Sequence, residues 1–265
     1  MSWVARPCPW WAPPVLAVQF LTRLPVPGTA GLTGEQVAVG LVRAVGWFPL
    51  VGALVGAITA AVALSAASIW PVAVAVVLAL AVEALVTGGF HEDAVADFCD
   101  AFGGGQSADD VRRILKDSRI GSYGSLGLML ALALRAALLM AVLAGPPLLA
   151  ALPIIASACF GRLLVVALMT VIAPAPTGTG LAKDIGIGVG PSTLLIALVL
   201  AVPGLLGFAL MKPAALIAAL IVAALFLWWF RRLLMRRIGG STGDCLGFAA
   251  YAGQLMLLLA ATARW

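Results

Sequence analysis

The stretch Thr87–Gly124, TGGFHEDAVADFCDAFGGGQSADDVRRILKDSRIGSYG, interrupts an otherwise apolar chain. It holds seven of the eleven acidic residues and the single histidine, in a chain that is 63% hydrophobic and only 10% charged. A charge at mid-bilayer costs about 2.5–3.5 kcal/mol even on insertion scales, so such a cluster needs water, a metal ion or both. The stretch reads as the working loop of a membrane protein, set apart from its apolar frame.

Working outward, apolar runs fall at about 45–66, 70–88, 124–145, 147–172, 191–211, 213–231 and 245–263, near the roughly 20 residues a spanning helix needs. The turns Ser68–Pro71, Gly145–Pro147 and Met211–Pro213 are so short that six of these runs pair as hairpins. Arg23, Arg43, Arg112, Arg113, Lys116 and Arg119 all map to the long-loop side, as do Lys183 and the arginines at 231, 232, 236 and 237. Only Lys212 and Arg264 map to the other. Basic residues mark the cytoplasmic face, so the long loops, with Asp93, Asp97, Asp100, Asp117, Asp184 and Asp244, are expected there. The expected fold is all-α: a polytopic integral membrane helical bundle of about seven transmembrane helices in one domain, 1–265. Short cytoplasmic helices belong to an active-site loop at 88–124.

The N-terminal run from Pro14 to Arg23 is too short to span and suits a retained interfacial or re-entrant segment, with Trp3, Trp10 and Trp11 at the headgroups. Cys8, Cys99, Cys159 and Cys245 have neither zinc-site nor disulfide spacing. The net charge of +5 sits in short runs beside the spans, which excludes a nucleic-acid-binding patch and leaves membrane lipid as the expected surroundings. A homo-oligomer is left open. Glu83, Arg135 and Arg162 fall inside spans, where they either pair with one another or bind an anion.

Within the loop, a helix over His91–Phe102 places Asp93, Asp97 and Asp100 on one face at i, i+4 and i+7. Three like charges repel, and a divalent cation removes the conflict. Carboxylate oxygens suit Mg²⁺ or Mn²⁺ better than zinc. His91, at the head of that helix, is read equally as a structural residue and as a ligand or base. Gly103–Gly105 ends the helix, and Ser107 caps a second, amphipathic one with Asp109 and Asp110 in its first turn. The turn that follows offers Lys116, Ser118, Arg119 and Gly121 to a phosphate and Asp117 to a metal. The last loop, ending Gly239-Gly240-Ser241-Thr242-Gly243-Asp244, runs into a helix whose first N–H groups suit an anion. There Thr242 or Asp244 is the cap; with Thr242 as cap, Asp244 is freed as a ligand. Carboxylates, cationic turns and a glycine-rich helix start on one face point to a diphosphate substrate and displacement at phosphorus.

GGFHEDAVADFCDAFGGG resembles the acidic signature of cobalamin synthases (adenosylcobinamide-GDP ribazoletransferases), GGxHxDGxADxxDG, and KDSRIGSYG resembles that family's second motif. VQFLTRLPVP, WFPLVGALVG, GRLL and STGDCLG match in order, covering nearly the whole chain. The resemblance implies an inner-membrane enzyme of vitamin B12 assembly that joins adenosylcobinamide-GDP to α-ribazole or its 5′-phosphate, needs Mg²⁺ and releases GMP. The acidic signature falls on His91, Asp93, Asp97 and Asp100, and the second motif on Lys116, Asp117, Ser118, Arg119 and Gly121. The expected roles are Asp93, Asp97 and His91 in catalysis, with metal held by Asp93, Asp97, Asp100, Asp117 and Asp244. Lys116, Ser118, Arg119, Gly121, Arg162, Thr242 and Gly243 are expected to meet substrate. Two departures stand out: Ala94 replaces the signature's glycine, and Tyr251 stands where the last motif commonly has glutamate. A CDP-alcohol phosphotransferase or prenyltransferase would also use aspartates on membrane helices, but their motifs fit less well. A transporter would set its charges near the midplane, usually in repeated halves, and no repeat is evident.

Overall fold

The computed structural model describes residues 7–176 and 185–264; Trp3, Lys183 and Asp184, used in the topology reading, lie outside the described residues. The described chain is helical: α1 (Ala12–Leu21), α2 (Gly34–Ala44), α3 (Phe48–Ala67), α4 (Val72–Thr87), α5 (Phe90–Gly104) and α6 (Ala108–Ile114), then α7 (Ser122–Leu143), α8 (Pro147–Val171), α9 (Pro191–Met211), α10 (Pro213–Arg237) and α11 (Gly243–Thr262). Six helical runs are long and apolar enough to cross a bilayer, and a seventh span results if the bent pair α4–α5 is counted as one. All three expected hairpin turns are present, and the chain is an integral membrane helical bundle. The first run begins earlier than expected, at Gly34, because Thr33 and Gln36 form a reciprocal capping box.

The span expected at 70–88 is the 16-residue helix α4, after which the chain turns by 90° into α5. The corner is Gly88-Gly89, both left-handed with φ of +74° and +70°, a conformation that a residue with a Cβ adopts only at a penalty. Helix α5 then lies outside the spanning direction, wedged between α7 and α11. Phe98 anchors it, stacking on Phe102 at 4.3 Å and on Phe248 of α11 at 4.0 Å between ring centroids. Ala94 sits against Gly247 of α11, so the alanine in place of the signature's glycine is matched by a missing side chain opposite.

Helix α8 is the axis of the bundle, with 78% of its apolar window buried. Gly52 and Gly56 of α3 lie on its backbone at Ala158 and Ile155, and Gly161 of α8 meets Gly253 of α11. Lipid offers no hydrophobic drive to pair helices, so this close backbone approach is what holds α3 and α11 to it. Leu195, Val199 and Leu206 of α9 and Ile217, Ile221 and Leu225 of α10 are exposed, as a lipid-facing surface requires. The N-terminal segment is the short helix α1, buried through Leu16, Ala17 and Leu21 against α2, with Trp10 exposed beside it.

The charges inside the bundle resolve into a buried network. Arg135 donates to both oxygens of Glu83 at 2.7 Å and to Gln254 at 2.9 Å; Thr59 donates to Glu83 at 2.7 Å. Glu92 stands 3.6 Å from Arg135, whose guanidinium also lies over the Tyr251 ring at 5.3 Å. Tyr251 is therefore part of this buried packing, 1% exposed, and is not at the open acidic cleft.

Candidate active site

An open cleft of about 720 Å³ lies at the α4–α5 corner. Asp93 and Asp97 line one part of it, and Arg23, Gln19 and Thr22 come from the end of α1, with Ser118 from the turn before α7. Arg23 is fixed at its backbone, its N–H donating to the Val86 carbonyl at 2.7 Å. Its guanidinium lies against Gly88, where a Cβ would collide with it. Cation and carboxylates thus face the same water-open space.

Asp97 is half-buried, and desolvation, then the charges of Asp93, Asp244 and Asp100, push its carboxyl up from 3.8 to about 6. Repulsion of this kind is what a cation relieves. Thr242 is the N-cap of α11, accepting from the Cys245 N–H at 3.4 Å, so Asp244 is not needed as the cap. Among the described residues no three His, Cys, Asp or Glu groups could enclose a metal ion. The set suits a small hard cation that takes one or two carboxylates and completes its shell with water and substrate phosphates, as Mg²⁺ does.

Other expected site residues lie elsewhere. The Asp100 carboxylate is buried and turned away from the cleft, accepting the Gly121 N–H at 2.6 Å and the Gly124 N–H at 2.7 Å. Gly121 is the N-cap of α7 and has no side chain to cap with, so Asp100 caps that helix from 21 residues away. A Cβ at Gly121 or Gly124 would strike the same carboxylate. The two glycines of the second motif therefore serve this docking. Asp117 is held by Arg119, which donates from Nη2 at 2.7 Å and Nε at 3.0 Å, and these bonds hold the carboxyl down at about 2. Lys116 and Arg119 are exposed and do not line the cleft; Ser118 between them does.

His91, Arg162 and Gly243 line a second, smaller cavity walled by Phe48, Phe90, Met169 and Leu246. His91 is 3% exposed, with its Nδ1 3.5 Å from the Arg162 guanidinium. A guanidinium only donates, so Nδ1 accepts and the ring proton sits on Nε2. Burial first, then the charges of Arg162 and Arg135, push the ring well below its usual range and keep it neutral. In the sequence Arg23 reads as a topology marker only; its signal is its place in a motif, VQFLTRLPVP, that begins on α1 and runs past its end, with nothing local to set it against a loop 65 residues away.

The match to the family model for cobalamin-5-phosphate synthase covers residues 14–262. The adenosylcobinamide-GDP ribazoletransferase of Ralstonia nicotianae is 38% identical over 92% of this chain and 92% of its own length, and that of Shewanella baltica is 36% identical over 91% and 90%. A shorter alignment with the enzyme of the same description from Leptothrix cholodnii is 48% identical over 46% of this chain and 44% of that one. No solved structure matches the chain significantly. With a family match across nearly its whole length and relatives of this identity aligned end to end, the chain belongs to the cobalamin-5-phosphate synthase family.

Proposed function

We propose that this protein is an adenosylcobinamide-GDP ribazoletransferase, which joins adenosylcobinamide-GDP to α-ribazole or its 5′-phosphate with release of GMP. The observation that carries the reading is the cleft at the α4–α5 corner, where Asp93 and Asp97 share one open space with Arg23 and Ser118. In the reaction the ribazole 3′-hydroxyl oxygen bonds to the phosphorus that carries the cobinamide arm, the bond from that phosphorus to the bridging oxygen breaks, and GMP leaves with that oxygen. The hydroxyl proton passes to a cleft carboxylate; His91, neutral with its proton on Nε2, is suited to giving a hydrogen bond from the neighbouring cavity. Arg23 and the Ser118 hydroxyl would hold the diphosphate, with Lys116 nearby on the same turn. Mg²⁺ at Asp93 and Asp97, with Asp244 close by, would neutralise charge on the transferring and leaving oxygens. The weight of arginine at the long-loop end supports a cytoplasmic placement of the cleft, in the inner membrane.

The test is GMP release by purified protein in nanodiscs, given adenosylcobinamide-GDP, α-ribazole and Mg²⁺. Turnover that vanishes in Asp97→Asn and does not occur with a diacylglycerol or prenyl acceptor supports the reading. Undiminished turnover in Asp97→Asn would remove the carboxylate assignment, and no GMP from the wild type would remove the activity.

A further inference from the structure

The end of the bundle opposite the acidic cleft carries its own groove of about 590 Å³. Its walls are the α7–α8 turn around Gly145 and Pro146, the start of α8 at Leu149 and Pro153, the α9–α10 turn at Met211, and the end of α11. Lys212 and Arg264, the two cations assigned to this end of the bundle, both line it. None of the acidic side chains among the described residues lies at this end, so among those residues no side-chain carboxylate answers the two charges. Lys212 donates to the Ala261 carbonyl at 2.6 Å, capping α11 and leaving its other two N–H groups for a ligand.

Two unanswered cations in a groove with apolar walls, level with the ends of spanning helices, match a phosphate headgroup whose acyl chains run down the outside of the bundle. We propose that this groove binds an anionic phospholipid, its phosphate between Lys212 and Arg264 and its chains along the exposed faces of Met140 and Leu149. A single-charge contact near a membrane surface corresponds to about fivefold in occupancy, and two to about 25-fold.

Native mass spectrometry of protein released from nanodiscs of mixed phosphatidylglycerol and phosphatidylcholine tests this. Bound phosphatidylglycerol is expected to fall about fivefold in Arg264→Gln and about 25-fold when Lys212→Gln is added, with phosphatidylcholine retention unchanged. Arg264 makes no hydrogen bond among the described residues, so its single variant keeps the test meaningful if loss of the α11 cap unfolds the double one. Equal phosphatidylglycerol retention by wild type and Arg264→Gln overturns the proposal. So does thermal protection by inorganic phosphate, in phosphatidylcholine alone, equal to that given by phosphatidylglycerol, since the site would then be for a free anion.

Discussion

Replacing Asp100 separates two roles that the acidic signature leaves superimposed. If its carboxylate ligates a metal, Asp100→Asn weakens metal binding and leaves the metal-free protein as stable as before. The geometry requires the opposite. Both oxygens accept backbone N–H groups at the start of α7, at 2.6 and 2.7 Å, and the residue is 9% exposed. Asparagine keeps one acceptor, but its amide nitrogen must face the other N–H, so one hydrogen bond is lost and a donor is left buried. A hydrogen bond to a charged group contributes about 1.5–3 kcal/mol. The lost attraction between the carboxylate and the helix N-terminus adds about 0.3–1 kcal/mol. The substitution is expected to destabilise the metal-free protein by about 2–4 kcal/mol. SDS or thermal unfolding in EDTA measures this, and limited trypsinolysis at Lys116 and Arg119 reports whether the turn before α7 has loosened. Unchanged metal-free stability together with a large loss of Mg²⁺-dependent stabilisation would refute the capping role.

The raised carboxyl of Asp97 has a signed consequence. Between about pH 4 and pH 6 the folded-state Asp97 holds a proton that the unfolded chain has released, so its contribution to metal-free stability falls as pH rises through that window and the penalty is complete above it. Discounted for the half exposure of Asp97, the penalty is about 1 kcal/mol; the buried neutral His91 acts with the opposite sign over the same range in wild type and variant alike, so the readout is the stability difference between Asp97→Asn and wild type in EDTA, which should be more favourable to the variant at pH 7.5 than at pH 5. Gly88→Ala places a Cβ into the Arg23 guanidinium at a left-handed position, with backbone strain of about 1–2 kcal/mol. In steady-state kinetics it should resemble Arg23→Gln, each raising KM for the guanylylated substrate by about tenfold, the worth of one phosphate contact. In the buried network, Arg135→Leu alone should destabilise by about 3–5 kcal/mol by stranding Glu83, whereas Arg135→Leu with Glu83→Leu should lose much less. A double-mutant cycle by SDS titration gives the coupling.

The frame was legible in the sequence because membrane helices announce themselves locally. Each span, each short turn and the Ser107 cap of α6 can be read within a few residues, and Thr33-Gly34-Glu35-Gln36 carried the same kind of signal for α2. What escaped the sequence was long-range. Helical spacing puts Asp93, Asp97 and Asp100 on one side of α5, yet α7 packs against that helix and claims Asp100. Glu83, Arg135 and Gln254 are 52 and 119 residues apart, and nothing local says that Arg135 would meet both others and leave Arg162 to His91. The second motif is the instructive case: its glycines look like a phosphate loop by composition, and only the approach of Asp100 explains their missing side chains.

The right-angled corner at Gly88-Gly89 also fixes how deep the chemistry lies. A 16-residue α4 rises roughly 24 Å, some 6 Å short of a hydrocarbon slab of about 30 Å. Around that helix the membrane must pinch inward or water must descend to meet it. The proposed carboxylate site would then lie in a dimple below the surrounding lipid surface, where a bulky substrate could rest on the membrane while only its pyrophosphate dips in.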